Sequence, residues 1–148
     1  MTENRFIIAG GGIGGLAAAL GLAQKGFTSI VLEKSAELSE IGAGIQLGPN
    51  AFHSFDYLGV GDAARKNAVY VDQLRLMDAM SGEEIMHIPL DEPFRKRFGN
   101  PYAVVHRGDL YGVLLQGCQD SDLIECRTNA DVQSYDQDGH SVVAHLAN

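Results

Sequence analysis

The sequence carries only two cysteines, Cys118 and Cys126, and they stand eight positions apart. That spacing suits neither a zinc site nor a C-x-x-C redox pair, so a disulfide or metal framework is excluded and a reducing, cytoplasmic home is expected. The histidines (His53, His87, His106, His140, His145) form no H-x-x-x-H or mixed Cys/His cluster and read as ordinary core or surface residues. Positive charge is also scarce. The formal charge is −8, and residues 101–148 set seven acids against Arg107 and Arg127. With no basic face to displace counterions, nucleic acid is excluded as a partner. No serine stands in a nucleophile-elbow pattern, and no internal repeat or low-complexity tract occurs.

A long uninterrupted apolar helix is missing too. The run Phe6 to Ala23 is uncharged and 18 residues long, enough in length to enter a bilayer. Six of its residues are glycine (Gly10, Gly11, Gly12, Gly14, Gly15, Gly21), and each costs about 1 kcal/mol relative to alanine in a helix interior. Glu3 opposes Arg5 before the run, so the positive start of an export signal is lacking. No membrane contact is expected.

The same letters make three good pieces. Phe6–Ala9 is a short apolar run, the pattern of a strand buried on both faces of a parallel sheet. From Ile13, the residues Ile13, Leu16, Ala17 and Leu20 recur at helical spacing, with Lys25 as a last-turn cation and Gly26 as the terminating glycine. Residues 29–33, SIVLE, form a second buried strand ending in an acid. Between strand and helix, Gly10, Gly12 and Gly15 fit G-x-G-x-x-G. In that motif the first glycine makes the sharp turn, the second lets backbone approach a pyrophosphate, and the third lets helix lie close on strand. The helix N-terminus then forms an anion site. Glu33, 18 residues past Gly15, is placed to accept ribose hydroxyls and to repel a 2′-phosphate. The alternative is a packing turn without a ligand.

Beyond Glu33, "KSAELSEIGAGIQLGPNAF" reads as a long ordered loop, interleaved by Ile41, Ile45 and Leu47, before a helix opened by Pro49 and running through Phe52, Phe55 and Leu58. Its glycines Gly42, Gly44 and Gly48 suit either close approach to a ligand or plain packing. Residues 69–90 alternate as an antiparallel hairpin. "DEPFRKRFGNP" concentrates Arg95, Lys96 and Arg97 and reads as a solvated loop or a basic patch. "YAVVHR" is a strand, "GDLYGVLLQGCQ" a helix with Asp109 as N-cap, "LIECRT" a buried strand, and "DQDG" the turn of a last hairpin. The fold class is α/β: a Rossmann-like parallel sheet with an antiparallel insertion at about 68–102 and a closing β-meander.

Four stretches taken together, "GGGIGGLAAALGLAQKG", "LEK", "GAGIQLGPNA" and "VVHRGDLYGVLL", resemble the FAD-dependent aromatic hydroxylases, a family of flavoprotein monooxygenases. The likeness runs nearly end to end, but only to the N-terminal part of that family. It implies that Gly10, Ile13, Gly14 and Gly15 border an FAD pyrophosphate and that Glu33 holds the adenosine ribose. It places Lys34 where the family commonly has arginine, a change that keeps the charge and loses the planar fork. By the same resemblance Gly44, Ile45 and Gln46 pass beside the ribityl chain and flavin, Arg107 reaches the cofactor, and Val132 offers backbone to adenine. It implies NADH or NADPH as electron donor, oxygen as co-substrate, and hydroxylation of a phenolic acid such as 3-hydroxybenzoate or salicylate. The chain, 1–148, is then expected to be the N-terminal portion of an FAD-binding domain. The family's Asp-Gly and Gly-Asp segments and its substrate domain would lie past Asn148, so no catalytic residue is assigned and the 148 residues alone are expected to be inactive. An open sheet edge leaves self-association, as a homodimer, available. An FAD-dependent oxidase or dehydrogenase, and a non-catalytic nucleotide-binding module, are the competing readings.

Overall fold

The computed structural model describes residues 5–39 and 42–147; Glu3, Ile41 and Asn148, which entered the sequence reading, lie outside them. The chain divides into two compact units, Met1–Ile41 with Leu110–Asn148, and Gly42–Asp109.

The first unit is built on a parallel sheet of strands β1 (Arg5–Ala9), β2 (Thr28–Leu32) and β8 (Ile124–Arg127), in the order β1-β2-β8. Ile7 lies opposite Ile30, and Val31 opposite Cys126. Helix α1 (Ile13–Ala23) links β1 to β2 and buries Leu16, Ala19 and Leu20. It closes through Gly26, at φ +79, with Phe27 N–H donating to the Leu22 carbonyl. Lys25 falls past the last turn, which holds no cation. The second helix of the unit, α5 (Arg107–Gln119), buries Leu110, Tyr111, Leu114 and Cys118 along one stripe. It starts directly where the preceding strand ends, so Asp109 sits inside the first turn and not at the N-cap, its charge still facing the positive helix end.

Strand β2 is buried, as expected, but β1 is not: Phe6 and Ile7 are exposed. Burial on both faces needs covering layers on both sides and neighbours on both edges, and β1 has β2 as its one strand partner among the described residues. For the same reason β8 is only half-buried. Strands β9 (Val132–Gln137) and β10 (Val142–Leu146) form the hairpin that "DQDG" announced. Gly139 takes φ +86, and Asp138 accepts from the N–H groups of His140 and Ser141 at 2.9 and 2.8 Å.

The second unit holds an antiparallel sheet of β3 (Gly44–Leu47), β7 (Ala103–His106) and β4 (Val69–Tyr70), in the order β3-β7-β4. Residues 44–47 are thus strand where a loop was expected: the alternation of Ile45 and Leu47 pairs with β7, Gly44 opposite His106, and pairing overrides the poor strand propensity of glycine. Helix α2 (Pro49–Tyr57) starts on Pro49 as read and buries Phe52 and Phe55 against the short α3 (Gly61–Lys66). The expected hairpin appears as β5 (Gln73–Met77) with β6 (Glu84–Pro89). Val69–Tyr70 splits from it to join β7, because Val71 N–H turns to the Tyr102 carbonyl. The basic stretch is helix α4 (Glu92–Phe98), not a loop, with a proline in its first turn, its cations at the last turn, and Gly99 at φ +73 ending it. No helix among the described residues is long and apolar enough to cross a membrane.

Candidate functional site

Chain direction after β1 is set by Gly10, whose N–H donates to the Leu32 carbonyl at 2.8 Å and whose φ of +102 a side chain would rarely tolerate. Two residues later Gly12 is the N-cap of α1 in extended conformation, with no side-chain cap and no acid in the first turn. The helix ladder begins with Leu16 N–H on the Gly12 carbonyl, at 3.0 Å. The N–H groups of Ile13, Gly14 and Gly15 therefore stand outside the ladder at the positive end of the helix. A Cβ at Gly12 or Gly14 would meet no atom within 4 Å, whereas one at Gly15 would overlap the Gly10 carbonyl oxygen. The glycines divide the work accordingly: Gly15 permits the packing, and Gly12 with Gly14 leaves an open face over the helix end. That open, uncapped face fits an anionic diphosphate.

The acid at the end of β2 faces this turn. One carboxylate oxygen of Glu33 accepts the Gly11 N–H at 2.6 Å and the other accepts the Ser35 N–H at 2.9 Å. These bonds, Ser35 first and then Gly11, hold its carboxyl below the usual range against a smaller opposing effect of burial, with the Lys34 cation adding to them. Lys34 itself is exposed. The backbone around Glu33 is pinned as well: its N–H reaches the Arg127 carbonyl and its carbonyl accepts from Ala130, both at 2.9 Å. Asn129, left-handed at φ 53, donates to the Ser35 carbonyl at 3.0 Å. This turn leads into Val132, the first residue of β9, paired with Leu146. On the far side of the glycine turn the buried Tyr111 hydroxyl donates to the Gly11 carbonyl at 3.0 Å.

In the second unit, Gly44, Ile45 and Gln46 lie on β3, and the Gln46 side chain accepts from the Tyr102 hydroxyl at 2.6 Å. Arg107 follows the end of β7, and its N–H donates to the Ala43 carbonyl at 3.2 Å. A Cβ at Gly42 would come within 2.9 Å of the Arg107 stem, so glycine there lets the backbone lie flat on the arginine. The structure thus gathers Gly10, Gly12, Ile13, Gly14 and Gly15 with Glu33 in one unit, and Gly44, Ile45 and Gln46 with Arg107 in the other. The sequence reading missed Gly11, Ser35 and Tyr111. A tyrosine on an otherwise apolar helix face was the one available signal, since its hydroxyl must find a partner when buried.

The family model described as FAD binding domain matches residues 3–148. The chain is 58% identical over 134 residues to 3-hydroxybenzoate 6-hydroxylase 1 of Aquipseudomonas alcaligenes, covering 90% of this chain and 34% of that protein. It is 33% identical over 143 residues to 6-hydroxynicotinate 3-monooxygenase of Pseudomonas fluorescens, covering 97% and 36%. Among solved structures, Klebsiella pneumoniae HpxO complexed with FAD and uric acid matches with a TM-score of 0.81 at 28% identity, over 97% of this chain and 35% of that one. The chain spans about a third of the length of the relatives it matches.

Proposed function

We propose a function that starts from one premise: the chain belongs to the FAD binding domain family. It is the FAD-binding part of an NAD(P)H-dependent flavoprotein monooxygenase that uses oxygen to hydroxylate a phenolic acid, 3-hydroxybenzoate in the first instance. The observation that carries this reading is the Gly10–Gly15 turn clasped by the Glu33 carboxylate. The substrate class comes from the identity to the 3-hydroxybenzoate hydroxylase.

When bound, FAD would supply the redox chemistry of a hydroxylation that draws electrons from NAD(P)H and oxygen from O2. The residues of the chain bind and orient. The first-turn N–H groups of α1 and its dipole meet the diphosphate over Gly12 and Gly14. Glu33 is ionised, and each of its oxygens keeps a lone pair beyond the backbone bond it already accepts, so it takes a ribose hydroxyl without giving up its anchors. Its charge disfavours a second phosphate on that ribose. Val132 backbone meets the adenine edge, and Lys34 adds positive charge beside the ribose. For the second unit the proposal, carried by the family resemblance alone, is that Gly44, Ile45 and Gln46 would serve the flavin and that Arg107 would offer a cation to the cofactor.

Titration of the purified chain with FAD, followed by quenching of flavin fluorescence, tests the binding. Saturable binding that Glu33→Ala weakens at least tenfold is expected; no binding overturns the reading. The proposed division of labour also makes residues 1–148 unable to turn over substrate, and 3-hydroxybenzoate-stimulated NADH oxidation by this chain would refute it. The full-length protein is expected to show that stimulation, whereas flavin reduction without hydroxylated product would favour an oxidase or dehydrogenase.

A further inference from the structure

We infer that Tyr111 is a positioning residue for the diphosphate-binding turn, aiming the Gly12 N–H at the bound anion. The inference rests on the FAD reading above and adds to it a side chain from a different helix.

Tyr111 lies on α5 between Leu110 and Leu114, on the buried stripe that continues to Cys118, and is 4% exposed. A phenylalanine would fill the same volume. The hydroxyl therefore has a role only through what it bonds, and it donates to the Gly11 carbonyl at 3.0 Å. In a trans peptide the C=O and the following N–H point in opposite directions. With the Gly11 carbonyl turned toward Tyr111, the Gly12 N–H of that same peptide unit is turned away from it. Gly12 borders open space, with no atom within 4 Å of where a Cβ would stand. The preceding peptide is fixed as well, because the Gly11 N–H is held by Glu33 at 2.6 Å.

Consecutive glycines have the softest backbone a chain offers. Here that softness is removed from both sides: Glu33 holds the N–H of Gly11 and Tyr111 holds its carbonyl. An anion site whose donors already point outward need not order them on binding. Without the hydroxyl, the Gly11–Gly12 peptide is free to rotate and the Gly12 N–H is no longer aimed.

Tyr111→Phe tests this, with Cys118→Ala as a control on the same buried stripe; the Cys118 thiol contacts the Leu16 carbonyl of α1 and not the turn. FAD and ADP affinities are measured by fluorescence quenching and calorimetry, stabilities by urea unfolding, and the Gly11 and Gly12 amides by NMR in nucleotide-free protein. Tyr111→Phe is expected to weaken both nucleotides about three- to tenfold, the size of one lost hydrogen bond. It should also shift the Gly11 and Gly12 amide resonances and speed their exchange. Cys118→Ala should lower stability and leave affinity and both amides unchanged. Equal affinities for wild type and Tyr111→Phe, or a parallel loss in Cys118→Ala, overturns the inference. Should wild type bind neither nucleotide, the FAD reading falls, and the amide comparison alone decides the matter: unmoved Gly12 signals in Tyr111→Phe refute the aiming role.

Discussion

Substituting alanine at two adjacent glycines separates packing from ligand access. Both Gly14 and Gly15 lie in the first turn of α1 at helical backbone angles, so helix propensity alone favours Gly→Ala at each by up to about 1 kcal/mol. At position 15 the new methyl would overlap the Gly10 carbonyl oxygen, far inside the 3.0 Å that real Cβ contacts respect, with the Gly10 carbonyl carbon at 3.1 Å and Ile8 Cγ2 at 3.4 Å behind it. Neither partner can yield. Gly10 is tied to Leu32 at 2.8 Å, and α1 is held by the burial of Leu16, Ala19 and Leu20. Forcing a methylene-sized group into such a contact costs about 1–3 kcal/mol, occasionally more, which exceeds the propensity gain. Gly15→Ala is therefore expected to lower the urea-unfolding free energy by about 1–3 kcal/mol, with an unchanged dependence on denaturant. Gly14→Ala meets nothing within 4 Å. It should leave stability equal or slightly raised while weakening FAD, since the methyl would occupy the open face proposed for the diphosphate. Stability of Gly15→Ala at or above wild type, or matching losses for both variants, would refute the division of labour among the glycines.

Other expectations follow from the same structure. The Ser35 and Gly11 N–H bonds lower the Glu33 carboxyl from its usual 4.5. Its contribution is present above the unfolded value and is lost as pH falls through the folded one. Glu33→Gln should remove the part of the stability loss that sets in as pH falls below 4.5; parallel curves for the two proteins would count against the clasp. Burial pushes the Cys118 thiol up to about 12, with the neighbouring Cys126 adding to the shift. A disulfide reagent at about pH 8 should therefore leave Cys118 unmodified in the native protein and react with it only in denaturant, as mass mapping will show. Asn100, buried, accepts from Arg65 at 2.8 Å and donates toward His53. Asn100→Ala should cost about 1–3 kcal/mol in urea unfolding by leaving that guanidinium contact unmet, and a change under a few tenths would show the network to be idle.

What could be read from the residues was what local physics decides. The glycine turn, the helix from Ile13, the acid at 33 and the Asp138–Gly139 hairpin each follow from contacts within a few residues or from one recurrent βαβ unit, and all stand where they were expected. Strand β3 was invisible because Gly44 to Leu47 becomes extended through pairing with β7, nearly 60 residues away, which no local window registers. Helix α4 was masked by its own charge: Arg95, Lys96 and Arg97 look like a solvated run until Gly99 is seen to close a helix whose dipole they complement. Exposure of β1 was hidden for a different reason. An apolar strand carries the same letters whether both its edges are paired or, as for β1 among the described residues, only one is.

The proposed site residues follow the same rule one level down. Gly10, Gly12, Gly15 and Glu33 were legible since their spacing is itself the chemistry. The partners that hold them, Ser35 and Tyr111, carry no spacing signature, because one acts through its backbone and the other arrives from a helix about 100 residues later. Their consequence is nonetheless large. A carboxylate already bonded at both oxygens, and a glycine held at both its N–H and its carbonyl, describe a proposed nucleotide site assembled before its ligand arrives. Binding then spends little on ordering the chain, and affinity depends on how well donors are aimed more than on how many there are. On that argument a single hydroxyl far from the motif should matter as much to the cofactor as any one glycine within it.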